Sequence, residues 1–190
     1  MKRVFNFVGY EAVWFAAVIG AGRGAWWPGV AAAAAFALLH PIVAAESARA
    51  RAADFKLFAV ALGMGASLDG ALALSGLIDY AADDVALPPG CAPLWILAMW
   101  ASFALTLRHS MAPLVRRPAL AAFVGAIFGP LAYLGAGRGW NAAAFAEPIW
   151  QPMTALAIGW AIAMATLAVL ARRWSSEAEA SSAPQPTHAN

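Results

Sequence analysis

Residues 118–137 read PALAAFVGAIFGPLAYLGAG, twenty positions without one charge. A helix that crosses a bilayer needs about 20 mostly apolar residues, because its backbone must satisfy itself across about 30 Å of hydrocarbon. Working outward from this stretch, five further runs meet the same test: Val4–Gly22, Trp26–Ala45, Phe55–Ile78, Pro93–Ser110 and Ile149–Ala171. The connections are short. The sequence therefore predicts an all-α, polytopic membrane protein: a six-transmembrane-helix bundle over residues 1–174. A Ser/Ala/Pro-rich tail, residues 175–190, is expected to be disordered and cytoplasmic.

Composition agrees. Of 190 residues, 63% are apolar and 12% charged, with mean hydropathy +0.68. A soluble domain has about 45–50% apolar and about 25% charged residues. The excess cannot be hidden in one small core. A soluble enzyme, a disordered chain and a nucleic-acid binder are excluded. The net charge of +2 is spread between apolar runs and forms no basic patch. The single Cys91 excludes a disulfide framework.

Orientation follows from Lys and Arg in short loops. Ten of the twelve fall on one side: Lys2, Arg3, Arg49, Arg51, Lys56, Arg108, Arg116, Arg117, Arg172 and Arg173. That side is expected to be cytoplasmic and to hold both termini. The other side holds Arg23 and Arg138, with the acidic Asp79, Asp83 and Asp84. Residues 1–21 have some features of a signal peptide, but Asn6 and Glu11 sit badly in one, and a retained helix is expected. Trp26, Trp27, Trp95, Trp140, Trp150 and Trp174 fall at predicted span ends and read as interfacial anchors.

Helices in lipid associate through small residues that let backbones approach. The stripes expected to face inward are Gly125, Gly129, Tyr133 and Gly137; Gln151, Ala155, Gly159 and Ala163; and Gly65, Asp69, Ala73 and Gly76. The run Gly-Ala-Gly-Arg-Gly occurs at Gly20–Gly24 and again at Gly135–Gly139. Chance and a duplicated helix pair both explain it. Arg23 and Arg138 lie in these runs, where they either snorkel or hold a lipid phosphate at the outer interface.

Ionisable groups at membrane depth cost about 2.5–3.5 kcal/mol on insertion scales, so each calls for a partner. Counting about 1.5 Å per residue gives two groups. Glu11, His40, Arg108 and His109 lie toward the cytoplasmic edge; Asp69 and Tyr133 lie in the outer half. Glu11, His40 and His109 are the acid–base candidates, since a carboxylate and an imidazole can exchange a proton near neutral pH. Arg108 can hold a phosphate or carboxylate. Ser102, Thr106, His109 and Ser110 share one helix face that can wall a site, and Arg108, Asp69, Tyr133, Ser102 and Thr106 are the candidate substrate contacts. A structural hydrogen-bond cluster explains the inner group as well. Asp69 bonded to Tyr133 likewise needs no ligand, and Ser and Thr can bond their own helix. No cofactor is expected. No metal is expected either, because the two histidines outside the tail lie on different helices with no paired spacing. No nucleophile elbow, Walker or dinucleotide motif is present.

Five runs of sequence together resemble a family known as domain of unknown function 2878. They are Asn6-Phe-Val-Gly-Tyr-Glu-Ala-Val-Trp14-Phe, Ser67-Leu-Asp69-Gly, Pro93-Leu-Trp95-Ile-Leu-Ala-Met-Trp100-Ala-Ser-Phe103, Leu107-Arg-His109-Ser110 and Gly129-Pro-Leu-Ala-Tyr133-Leu-Gly135. The resemblance covers most of residues 4–172 and implies a small bacterial inner-membrane protein. Members tend to be encoded near lipid-modifying enzymes, which implies a lipid-related role. The leading expectation is a lipid-handling enzyme or accessory factor whose partners are membrane lipids. The competing expectations are a structural or assembly subunit of a larger membrane complex, or a homo-oligomer, and a small proton-coupled transporter.

Overall fold

The computed structural model describes residues 2–44 and 47–180. Its elements are α1 (Lys2–Ala21), α2 (Trp27–Ala44), α3 (Ala48–Leu74), β1 (Ile78–Tyr80), α4 (Leu94–Ala104), α5 (Ala112–Val115), α6 (Pro118–Trp140), β2 (Ala143–Phe145) and α7 (Trp150–Ala180). Five of these helices, α1, α2, α3, α6 and α7, are long and apolar enough to cross a membrane. Large apolar side chains stand on the outside, among them Leu38 and Ile42 at 73% exposure and Phe55 at 71%. In water such a surface would aggregate; against acyl chains it is the expected exterior.

Small residues set the packing, as the sequence predicts. Gly9 lies under the Phe36 ring and Gly29 against Ala17, joining α1 to α2. Gly125 and Gly129 receive Trp160 and Met164 of α7, and Gly159 receives Leu68 of α3. The predicted stripe Gly125, Gly129, Tyr133 and Gly137 is buried, as are Gly65 and Asp69. Of the α7 stripe, Ala163 is buried, Ala155 and Gly159 are half-buried and Gln151 is exposed; Leu156, Leu167 and Ala171 join Ala163 in the core. Gly76 is also exposed, with φ +69, in the turn that ends α3.

The fourth predicted run behaves differently from the others. Pro93–Ser110 was expected as one span, but α4 is regular only over Leu94–Ala104. Beyond it the backbone tightens: Leu105, Thr106, Leu107 and His109 donate to Ser102, Phe103, Ala104 and Thr106, three residues back. Hydroxyl groups compete for the carbonyls there. Ser102 Oγ donates to Ala98 O at 2.9 Å and Thr106 Oγ1 to Phe103 O at 2.7 Å. Such back-bonding bends and loosens helices. α4 is also the central element, buried on nearly every side and packed against α1, α2 and α3.

Polar connections close one end. β1 pairs antiparallel with β2, Ile78 opposite Phe145 and Tyr80 opposite Ala143. These two short strands, in what the sequence reads as loops, tie the α3–α4 and α6–α7 connections together. Trp95 does not anchor at an interface: it is 1% exposed and donates to Ala81 O at 2.9 Å. Trp27 and Trp150 are exposed, and Trp174 takes Lys56 over its ring at 5.6 Å. α7 runs on to Ala180, so residues 175–180 are helical rather than part of a tail. Residues 181–190 lie outside the described residues. The two Gly-Ala-Gly-Arg-Gly copies adopt different structures. The first leaves the helix at Ala21 and turns at Gly24, φ +75; the second stays inside α6. They meet in space: any Cβ on Gly22 would strike the Trp140 carbonyl.

Candidate functional site

At the end of the bundle away from the strands, four elements converge. α1 supplies Asn6, α2 His40, α3 Asp54, and the unwound stretch after α4 supplies Arg108, His109 and Ser110. His40 Nε2 lies 3.1 Å from His109 Nε2; Asp54 Oδ2 lies 3.3 Å from His109 Nε2 and 3.7 Å from His40 Nε2. The other Asp54 oxygen accepts from Arg108 Nη1 at 2.9 Å. Arg108 also donates to Ala50 O at 2.7 Å and to Ser175 Oγ at 3.1 Å. His40 and Asp54 are each 5% exposed. Burying an ion pair is tolerable only with such additional partners.

Proton bookkeeping around the two rings is tight. Asn6 Oδ1 accepts from the Ser110 backbone N–H at 3.2 Å and from its hydroxyl at 2.6 Å; Asn6 Nδ2 donates to Leu105 O at 3.0 Å. A backbone N–H only donates and a carbonyl only accepts, so the amide orientation is set. Its nitrogen then faces His40 Nδ1 at 3.4 Å. With His40 Nδ1 accepting, its proton sits on Nε2, beside His109 Nε2 at 3.1 Å and Asp54 Oδ2 at 3.7 Å. Asp54 Oδ2 can accept from both imidazoles, or His40 can donate to His109.

The second cluster lies on the strand side of the bundle and is complete. Asp69, fully buried in α3, accepts from Tyr133 Oη at 2.5 Å, Tyr80 Oη at 2.7 Å and Trp100 Nε1 at 2.6 Å. Tyr80, on β1, is held protonated by burial first and by the neighbouring Asp69 second, which push its hydroxyl well above its ordinary range. Gly65, one turn before Asp69, makes room for Trp100: a Cβ would come within 2.3 Å of the indole.

Two cavities accompany the clusters. The larger, about 500 Å³, lies between α1, α4, α6 and α7. Its walls include Tyr10, Glu11, Trp14, Phe103, Tyr133 and Trp160. α1 and α6 approach closely at Gly22 and Trp140 and make few contacts elsewhere. Phe128 and Leu131 line the cavity yet stand 63% and 53% exposed, so it reaches the outer surface about halfway along α6. Trp160 Nε1, buried, makes no hydrogen bond of ordinary length among the described residues, although it lies close enough to the Tyr133 hydroxyl to interact with it. The smaller cavity, about 300 Å³, is a groove between α2 and α3 whose wall includes His40, Pro41, Asp54, Phe55 and Phe58.

The predicted site residues therefore divide. His40, His109 and Arg108 come together. Glu11 does not join them; it lines the large cavity on another face of α1. Arg108 donates to Asp54, Ala50 and Ser175 among the described residues. Ser102 and Thr106 bond their own backbone. Asp69 and Tyr133 bond each other, and Arg23 and Arg138 are exposed at the strand end. The premise against a metal fails, because folding sets two histidines from different helices 3.1 Å apart. Sequence reading missed Asp54, Asn6, Tyr80 and Trp100 as partners. Asp54 fell one residue before the assumed span start at Phe55, whereas α3 begins at Ala48 with Ser47 as its N-cap.

Neither a curated protein nor a solved structure matches the chain. Residues 3–166 match a family described as "Protein of unknown function (DUF2878)", and this region contains both clusters and both cavities apart from the Ser175 contact to Arg108. With most of its length inside that match, this helical, multipass membrane protein belongs to the DUF2878 family.

Proposed function

We propose that this protein binds a membrane lipid by its apolar chain, in the cavity between α1, α4, α6 and α7. The observation that carries this reading is an aromatic-lined space of about 500 Å³ between α1, α4, α6 and α7 whose α6 wall, at Phe128 and Leu131, stands exposed on the outside of the bundle. Ligand pockets typically measure about 300–1,000 Å³ and carry few polar groups on apolar walls. Here the polar groups include Glu11, the hydroxyl groups of Tyr10, Tyr80 and Tyr133, and the buried Trp160 N–H, which has no hydrogen bond of ordinary length among the described residues. The last calls for an acceptor such as an ester or carbonyl oxygen on the ligand. A soluble ligand would have no use for an entrance facing acyl chains.

In this reading the chain lies in the bacterial inner membrane with six crossings and both termini in the cytoplasm. The support for a sixth crossing is the pairing of α3 with the α4 segment. Gly70 packs near Cys91 and Ala92, while Asp54 meets Arg108. Sixteen residues of α3 separate Asp54 from Gly70, about 24 Å at helical rise, and the α4 segment covers the same height. Lys2, Arg49, Arg51, Arg116 and Arg117 then share the cytoplasmic side with the histidine cluster.

The test is lipid extraction from protein purified in mild detergent, read by mass spectrometry. Wild type should carry one enriched lipid class at about one per chain. Ala132→Phe, which fills the cavity from α6, should lose it while eluting as the same monodisperse species. Equal lipid in the two proteins, or only the bulk membrane mixture in wild type, would refute the reading.

A further inference from the structure

We propose that His40, Asp54 and His109 bind a divalent first-row transition-metal ion such as Zn²⁺. This is independent of the lipid cavity, which shares none of these residues. Three lone-pair donors converge: two imidazole Nε2 atoms and one carboxylate oxygen, separated by 3.1, 3.3 and 3.7 Å. A tetrahedral ion with ligands at about 2.05 Å holds them about 3.3 Å apart. A point about 2.0–2.1 Å from all three atoms lies just outside their plane, which is the Zn²⁺ distance to histidine nitrogen and carboxylate oxygen.

Charge and hydrogen bonding agree with the geometry. Protons can join the same three atoms, with Asp54 Oδ2 accepting from both rings; a cation instead takes up all three lone pairs at the spacing they already have. Arg108 holds the far oxygen of Asp54 and orients the carboxylate, the kind of outer support that metal-ligating carboxylates have. His40 and Asp54 also line the groove between α2 and α3, so a remaining coordination position can face open space. Two histidines and a carboxylate with an open position suit Zn²⁺ or a neighbouring divalent ion rather than Ca²⁺ or Mg²⁺, which prefer all-oxygen sites. Binding through Nε2 puts the His40 proton on Nδ1, so the long 3.4 Å contact to the Asn6 amide nitrogen is the one that has to adjust.

The experiment uses the full chain with a tag free of histidine, purified in detergent, stripped with chelator and dialysed against Zn²⁺ or Co²⁺. Metal content by mass spectrometry should reach one ion per chain, and Co²⁺ should give the intense visible bands of a four- or five-coordinate site. His109→Ala and His40→Ala should each weaken Zn²⁺ binding about 100-fold or more. Asp54→Asn, which keeps shape and can still meet Arg108, should do the same. His109→Asn and His40→Gln serve where the alanine variants do not elute as folded protein. Wild type below one ion in ten chains at saturating Zn²⁺, or Co²⁺ that stays six-coordinate and pale, would overturn the proposal and leave a proton-bonded cluster. So would folded variants that bind as wild type does.

Discussion

Asp69 and Asp54 are both buried carboxylates on α3, about four turns apart, and their surroundings differ in kind. Asp69 accepts from two phenols and an indole and forms no ion pair among the described residues. Asp54 has Arg108 on one oxygen and two imidazole nitrogens near the other, at 3.3 and 3.7 Å. In hydrocarbon an unsatisfied polar group costs several kcal/mol. A closed set of donors around an acceptor is what structural polarity looks like. Two imidazoles and a carboxylate drawn together beside an open groove offer a ligand set that a closed structural cluster does not.

Removing the Asp69 acceptor gives the sharpest way to break this comparison. Asp69→Ala leaves three buried donors unpaired, at about 1–3 kcal/mol each. A loss of about 3 kcal/mol or more is expected, seen as a collapse of the monodisperse peak on mild heating. If Asp69 instead served a ligand, the variant would stay folded. The opposite pattern is expected at the other cluster. His109→Ala should lose metal by about 100-fold while the thermal midpoint without metal shifts far less than for Asp69→Ala.

Smaller effects sharpen the picture. Gly65→Ala drives a methyl group into Trp100, which positions Asp69. Overpacking of this kind costs about 1–3 kcal/mol, and indole fluorescence should report the displaced Trp100. Ser102→Ala should change stability by no more than about 0.5 kcal/mol, because its hydroxyl bonds only its own helix. A large effect there would revive Ser102 as a ligand contact.

Hydropathy made the membrane character plain, and glycine spacing located the faces of α3 and α6. Depth counting paired Asp69 with Tyr133 and His40 with His109. Depth says nothing about azimuth, however, and that is where Glu11 went astray: it has the right height but faces the large cavity. Asp54 was hidden by a boundary error of about two turns, Ala48 against Phe55, since charged first turns read as loop whenever a span is defined by apolar residues alone. The unwinding after Ala104 depends on Ser102 and Thr106 capturing carbonyls, a competition that composition does not rank. Trp95 looked interfacial because it lies near a span end; the strand pair, which local sequence did not reveal, helps to cover it.

The most direct test of lipid binding is photo-cross-linking in intact membranes with a fatty acid that carries a diazirine, followed by peptide mapping. Binding in the cavity predicts labels concentrated on Trp14, Ala132 and Trp160, on the cavity walls, and reduced there by Ala132→Phe. Labels spread only over the lipid-facing Leu38, Ile42 and Ile158, with the cavity walls unmarked, would contradict it.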